Sequence, residues 1–98
     1  MSVTNAARKA IHDRIEAQMK IAQAKLETLK AKAESTKAKA ELVVIVELLT
    51  RKQAIAQKVS ELKNSGETTY EQAKSDVESR IAELEKSVQA IEAKFKAA

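Results

Sequence analysis

Residues 33 to 43 read AESTKAKAELV, and whether the chain runs straight through them or turns there decides the fold. Ala33, Thr36, Ala40 and Val43 continue a row that begins Ile15, Met19, Ala22, Leu26, Leu29. The spacing alternates four and three, the seam of a coiled coil. It passes Ser35 and Thr36 without losing phase. The stretch holds neither Gly nor Pro, the strongest markers of a turn. The unbroken phase therefore predicts one long helix over about residues 4 to 64, starting at Ser2 or Thr4. At 1.5 Å per residue it would be roughly 90 Å long. The alternative is a three-helix bundle, with a break near Ser35-Thr36. Near-equal helix lengths favour the bundle; the continuous phase and the missing turn residues oppose it.

Composition fits an all-α protein. The 98 residues include 18 Ala, one Gly, no Pro, no Trp, one Tyr and one Phe, and one residue in three is charged. Alanine and lysine favour helix, and no proline interrupts the hydrogen-bond ladder. Two aromatic residues do not fill a broad core, so the core must be thin and aliphatic. There is no Cys, which excludes disulfides and thiol chemistry. Residues 1–10, MSVTNAARKA, lack the apolar segment of a secretory signal. The longest apolar run, residues 42 to 46, falls far short of the roughly 20 residues that span a bilayer. A cytoplasmic location is expected.

Further along, Lys63-Asn64-Ser65-Gly66-Glu67-Thr68-Thr69 contains the only Gly among polar turn formers. Gly66 is expected in the left-handed conformation that ends a helix. Thr68-x-x-Glu71 and Thr69-x-x-Gln72 have the form of capping boxes. A turn over about 64–68 and a helix over about 68–97 follow. The helix carries its own apolar row, Val77, Ile81, Leu84, Val88, Ile91 and Phe95. Folded at Gly66, the chain becomes an antiparallel helical hairpin in one domain, residues 1–98.

The hairpin raises a difficulty at residues 41 to 50, ELVVIVELLT. Here the phase shifts to Leu42, Ile45, Leu49, Lys52, Ala56, Val59. Leu42, Val43, Val44, Ile45, Val46, Leu48 and Leu49 make the helix apolar on every side. A short second helix covers only one side of this belt, and leaves the row from Ile15 to Leu29 bare. Exposed apolar patches of this kind mark association sites. These seven residues are the expected self-association surface of a homodimer or higher oligomer, with two long helices crossing antiparallel near residue 45.

Charge is uneven. Residues 1 to 41 hold nine Lys and Arg against five Asp and Glu, while residues 42 to 98 hold nine against nine. With Leu26 at heptad position a, Lys25, Lys32 and Lys39 fall at g, and Lys30 and Lys37 at e. Glu78, Glu85 and Glu92 take the e positions of the last helix, and Glu92 should meet Lys37 and Lys39. Lys20, Lys25, Lys30, Lys32, Lys37 and Lys39 could also meet phosphates, as weak, nonspecific contacts to nucleic acid or an anionic membrane.

The segments AQMKIAQAKLETLKAKAESTKAKAE (17–41) and ELLTRKQAIAQKVSELKNSGETTYEQAKSDVESRIAELEKSVQAIEAKF (47–95) resemble a family of small bacterial coiled-coil proteins, some labelled stress-response proteins. The family's layout is a long charged helix, a Lys-Leu-rich stretch, a short Ser-Gly turn, and an aromatic-initiated helix ending in Lys-x-Phe; here that helix ends in Lys94-Phe95. Two further features depart from it: Tyr70 stands where Trp is usual, and LVVIVELL (42–49) replaces a charged stretch. The resemblance implies a stress-linked role. The chain itself reads as a scaffold or as a small helical subunit clamped to a larger protein partner. The resemblance carries over no catalytic residue. His12, with Glu16 four residues on, is half of a metal site at most and reads as a solvated residue near the helix start. No phosphate loop or nucleophile–base pair is present. The expectation is a non-enzymatic structural or interaction protein with no cofactor, no metal and no small-molecule substrate.

Overall fold

The computed structural model describes residues 5–97. It contains three helices: α1 (Asn5–Ser35), α2 (Lys39–Lys63) and α3 (Glu67–Ala97). The proposed helix starts at Ser2 and Thr4 lie outside the described residues. The single helix expected over 4–64 is not formed; the chain turns back at residues 36–38. The number of helices is that of the three-helix alternative.

The cause is local. Lys37 has φ 58°, the left-handed region. The Ala38 N–H donates to the Ala33 carbonyl at 2.8 Å, and the Lys37 N–H to the Glu34 carbonyl at 3.3 Å. Those are the two bonds of a Schellman cap, with Lys in the position usually held by Gly. Ala33 is buried and Ala38 packs at the core margin, the apolar pair that accompanies such a cap. Ala38, at φ −80° and ψ 77°, then makes an inverse γ-turn, closed by the Lys39 N–H on the Lys37 carbonyl at 3.0 Å. The Ser35 and Thr36 hydroxyls both donate to the Lys32 carbonyl, at 3.1 and 2.8 Å. They add to the Thr36 N–H, which already donates to the same carbonyl at 3.0 Å, and so compete with continuation of the helix.

Packing supplies the larger reason. An extended helix leaves the row Ile15, Met19, Ala22, Leu26, Leu29 bare. Folding back at Lys37 buries all five, together with Ala33. At about 1.5–3 kcal/mol for each fully buried large aliphatic, the gain exceeds the roughly 1–2 kcal/mol that a left-handed L-residue costs. The Cα extents are 51 × 17 × 16 Å, in place of a 90 Å rod.

Two short turns make α2 antiparallel to its neighbours, so α1 and α3 run parallel. Their pairs keep that order: Arg14 with Glu78 at 3.3 Å and Lys25 with Glu92 at 3.9 Å. Glu92 therefore meets Lys25, not Lys37 or Lys39. The α3 row is as expected, with Val77, Ile81, Leu84, Val88 and Ile91 buried and Phe95 partly buried, and Tyr70 extends it. The α2 row is half as expected. Ile45 and Val59 are buried, but Leu48, Ile55 and Leu62 complete the face, while Leu42 and Leu49 lie at its margin and Ala56 is exposed. The turn before α2 resets the helical phase.

The second turn differs in detail from expectation. Gly66 does not have positive φ. It is instead the residue before α3, and its carbonyl accepts the Tyr70 N–H at 3.0 Å. Helix α3 begins at Glu67, before either Thr. No bond of the two expected capping boxes forms; the Thr69 hydroxyl donates to the Gly66 carbonyl instead. At the end of α2, Asn64 and Ser65 donate their N–H groups to the Glu61 and Leu62 carbonyls at 3.1 Å, tightening the last turn. Among the described residues no helix is long and apolar enough to cross a membrane.

Candidate interaction surface

Helix α2 turns about 100° per residue, so one run of aliphatics cannot all face the same way. Ile45 and Leu48 point into the chain's own core and are fully enclosed. Leu42 and Leu49 pack at the core edge. Val43, Val44 and Val46 face solvent, 68%, 39% and 47% exposed. The seven residues expected to form one self-association surface are thus divided. Ile45 and Leu48 are not available to a partner, and the argument that a neighbouring molecule must cover the Ile15–Leu29 row fails, because α2 and α3 cover it. The valines remain. The other large exposed aliphatic among the described residues is Ile21 on α1.

The outward row of α2 continues past the valines as Thr50, Gln53 and Gln57, all exposed and all uncharged. Glu47 and Arg51 flank it, paired at 3.8 Å across one helical turn. Both are more than half exposed, so this pair contributes only a few tenths of a kcal/mol.

The six lysines expected to meet anions are also divided. Lys25 lies against Glu92. Lys20 borders the groove between α1 and α2, next to Lys52, and Lys30 is exposed on α1. Lys32, Lys37 and Lys39 gather at the end where α1 stops, α2 starts and α3 stops. Lys94 and Lys96 of α3 join them there; sequence reading left both out, although its hairpin already set Glu92 beside Lys37 and Lys39. The Lys32 ammonium sits 5.6 Å from the Phe95 ring centroid. A cleft of about 420 Å³ at this end is lined by Lys32, Thr36, Ala38, Glu41, Lys94 and Phe95. Cations here complement the negative ends of the α1 and α3 dipoles.

The opposite end is built around Arg8. Its guanidinium stacks over Tyr70 at 4.1 Å and donates to the Ser65 carbonyl at 3.0 Å. It ties the start of α1 to the second turn. His12 is not the solvated residue expected: its side chain is 13% exposed, and its Nε2 lies 2.7 Å from a Glu16 carboxylate oxygen. Among the described residues no three His, Asp or Glu side chains come together as a metal site requires.

No protein-family model, no curated protein and no solved structure matches this chain.

Proposed function

We propose that this chain is a non-enzymatic helical interaction protein. It acts by self-association, or as a subunit of a larger assembly, through the exposed face of α2. The stress-linked bacterial setting implied by the family resemblance belongs to the same proposal. One observation carries the reading: Val43, Val44 and Val46 lie exposed within four residues of one another, on a chain that encloses most of its other large aliphatics. Scattered surface aliphatics are ordinary, but a cluster marks a contact surface. Full burial of a valine contributes about 1.5–3 kcal/mol, and these three are already partly covered. Association costs at least 4 kcal/mol in lost freedom. The valines alone therefore support weak pairing, and further contacts along α2 must add to it.

Sedimentation velocity across a concentration series tests this. The unaltered chain should form a species of at least two chains at high micromolar concentration, and Val43→Ser with Val46→Ser should remain at single-chain mass. A wild-type chain that stays single up to millimolar concentration refutes self-association.

A second reading is favoured by the cluster of Lys32, Lys37, Lys39, Lys94 and Lys96. This basic end would take an anionic polymer or membrane surface through weak, salt-sensitive contacts. Titration with random duplex DNA and with anionic vesicles at low salt tests it, and no binding to either removes it.

A further inference from the structure

We infer that the occupant of the α2 face is a second copy of this chain, lying antiparallel, with the two-fold axis beside Leu49. The inference rests on the self-association reading and adds its geometry. A two-fold axis perpendicular to a pair of helices brings the same flank of each helix together, with the sequence running in opposite directions. Glu47 and Arg51 lie on one flank of the uncharged row Val43, Val46, Thr50, Gln53 and Gln57. An axis beside Leu49 sets Glu47 opposite the partner copy's Arg51, and Arg51 opposite the partner copy's Glu47. It also brings Lys39, at the start of the row, within two residues, about 3 Å along the axis, of the level of the partner copy's Glu61. Charge is then complementary where Glu47 and Arg51 meet, and Val43 and Val44 come level with the partner copy's Ile55 and Ala54.

Other registers fail on charge. With the axis at Ile45, the midpoint of the valines, Arg51 falls opposite the partner copy's Lys39, like against like. A parallel pair sets Glu47 against Glu47 and Arg51 against Arg51. Like charges across a helix pair select against a register. The axis near residue 45 expected from the sequence therefore moves by about one helical turn.

The chain has no Cys, so introduced cysteines report the geometry without interference. Disulfides form only when Cα atoms come within about 4.4–6.8 Å. In the proposed pair Val43 lies beside the partner copy's Ala54, while the two copies of Val43 stand about 18 Å apart along the axis, at 1.5 Å per residue. An equimolar mixture of the Val43→Cys and Ala54→Cys chains, incubated with oxidised glutathione, should give mostly the mixed dimer. Neither variant alone should cross-link. Cross-linking of Val43→Cys with itself overturns the antiparallel geometry. Absence of the mixed product, while the wild-type chain still sediments as a dimer, overturns the register but leaves self-association standing. A wild-type chain that is monomeric overturns both.

Charge exchange provides a second readout. Glu47→Arg and Arg51→Glu should each weaken self-association at least tenfold, and mixing the two should restore it. Each variant has lost its own Glu47–Arg51 pair, so recovery on mixing arises only across the interface. No recovery on mixing contradicts the register.

Discussion

Replacing Lys37 by Gly and by Ala separates a turn from a helix by the sign of one difference. Lys37 has φ 58°, and for an L-residue that conformation costs roughly 1–2 kcal/mol. Glycine removes the cost but loses about 0.5–1 kcal/mol more backbone entropy on folding than alanine. The net effect favours Gly over Ala by about 0.5–1 kcal/mol. Both variants lack the lysine charge, so its interaction with the end of α1 cancels in the comparison. Were residue 37 inside a continuous helix, Gly would instead be about 1 kcal/mol worse than Ala. Thermal unfolding followed by circular dichroism resolves this. For a chain of this size 1 kcal/mol moves Tm by about 4–8 °C. Lys37→Gly should therefore melt about 2–8 °C above Lys37→Ala. A glycine variant that melts below the alanine variant refutes the turn.

Four further substitutions test separate parts of the fold. Gly66→Ser should stabilise the chain by about 0.5–1 kcal/mol in urea denaturation. A side chain there meets nothing within 4 Å, φ is not positive, and the hydroxyl can cap α3 while the unfolded chain loses freedom; destabilisation would mean that position 66 needs glycine. Ile45→Ala should cost about 2–5 kcal/mol, as expected for an enclosed side chain, whereas Val43→Ala should change single-chain stability by under about 0.5 kcal/mol; equal costs would contradict their opposite orientations. Arg8→Ala should cost about 1–2 kcal/mol through loss of the Tyr70 stack and the Ser65 hydrogen bond, read as a lower urea midpoint with the slope unchanged.

Much of the core was legible in the sequence. The rows Ile15–Ala33 and Val77–Ile91 are buried along their length because an alternating four-three spacing keeps side chains on one face whatever covers them. The turn near Gly66 was legible as a location, since its residues are poor helix formers, but not as a conformation. The turn at 36–38 was hidden because its left-handed residue is a lysine. The backbone there is forced by packing on both sides and not by local preference. The phase slip between Val43 and Ile45 was the visible trace of it: a helix that restarts after a turn has no reason to keep the earlier register.

For the proposed interaction surface, the sequence marked a segment that the fold leaves only partly exposed. A run of aliphatics shows no direction until its helix is docked, and docking sent Ile45 and Leu48 inward while leaving Val43 and Val46 outside. The lysine cluster was legible only in part. The expected hairpin sets Glu92 beside Lys37 and Lys39, but Lys94 and Lys96 lie outside the first 41 residues, where the excess of positive charge pointed.

Small-angle X-ray scattering, recorded with absolute mass over a concentration series, tests the central claim most directly. A chain folded back at Lys37, with its copy alongside and antiparallel, should approach a mass of two chains as concentration rises. The maximum dimension should then rise only to about 70 Å, the diagonal of the 51 Å Cα length and two 17 Å widths plus side chains of about 5 Å at each end. A maximum dimension of about 90 Å or more at single-chain mass, the length of one unbroken helix, would contradict it.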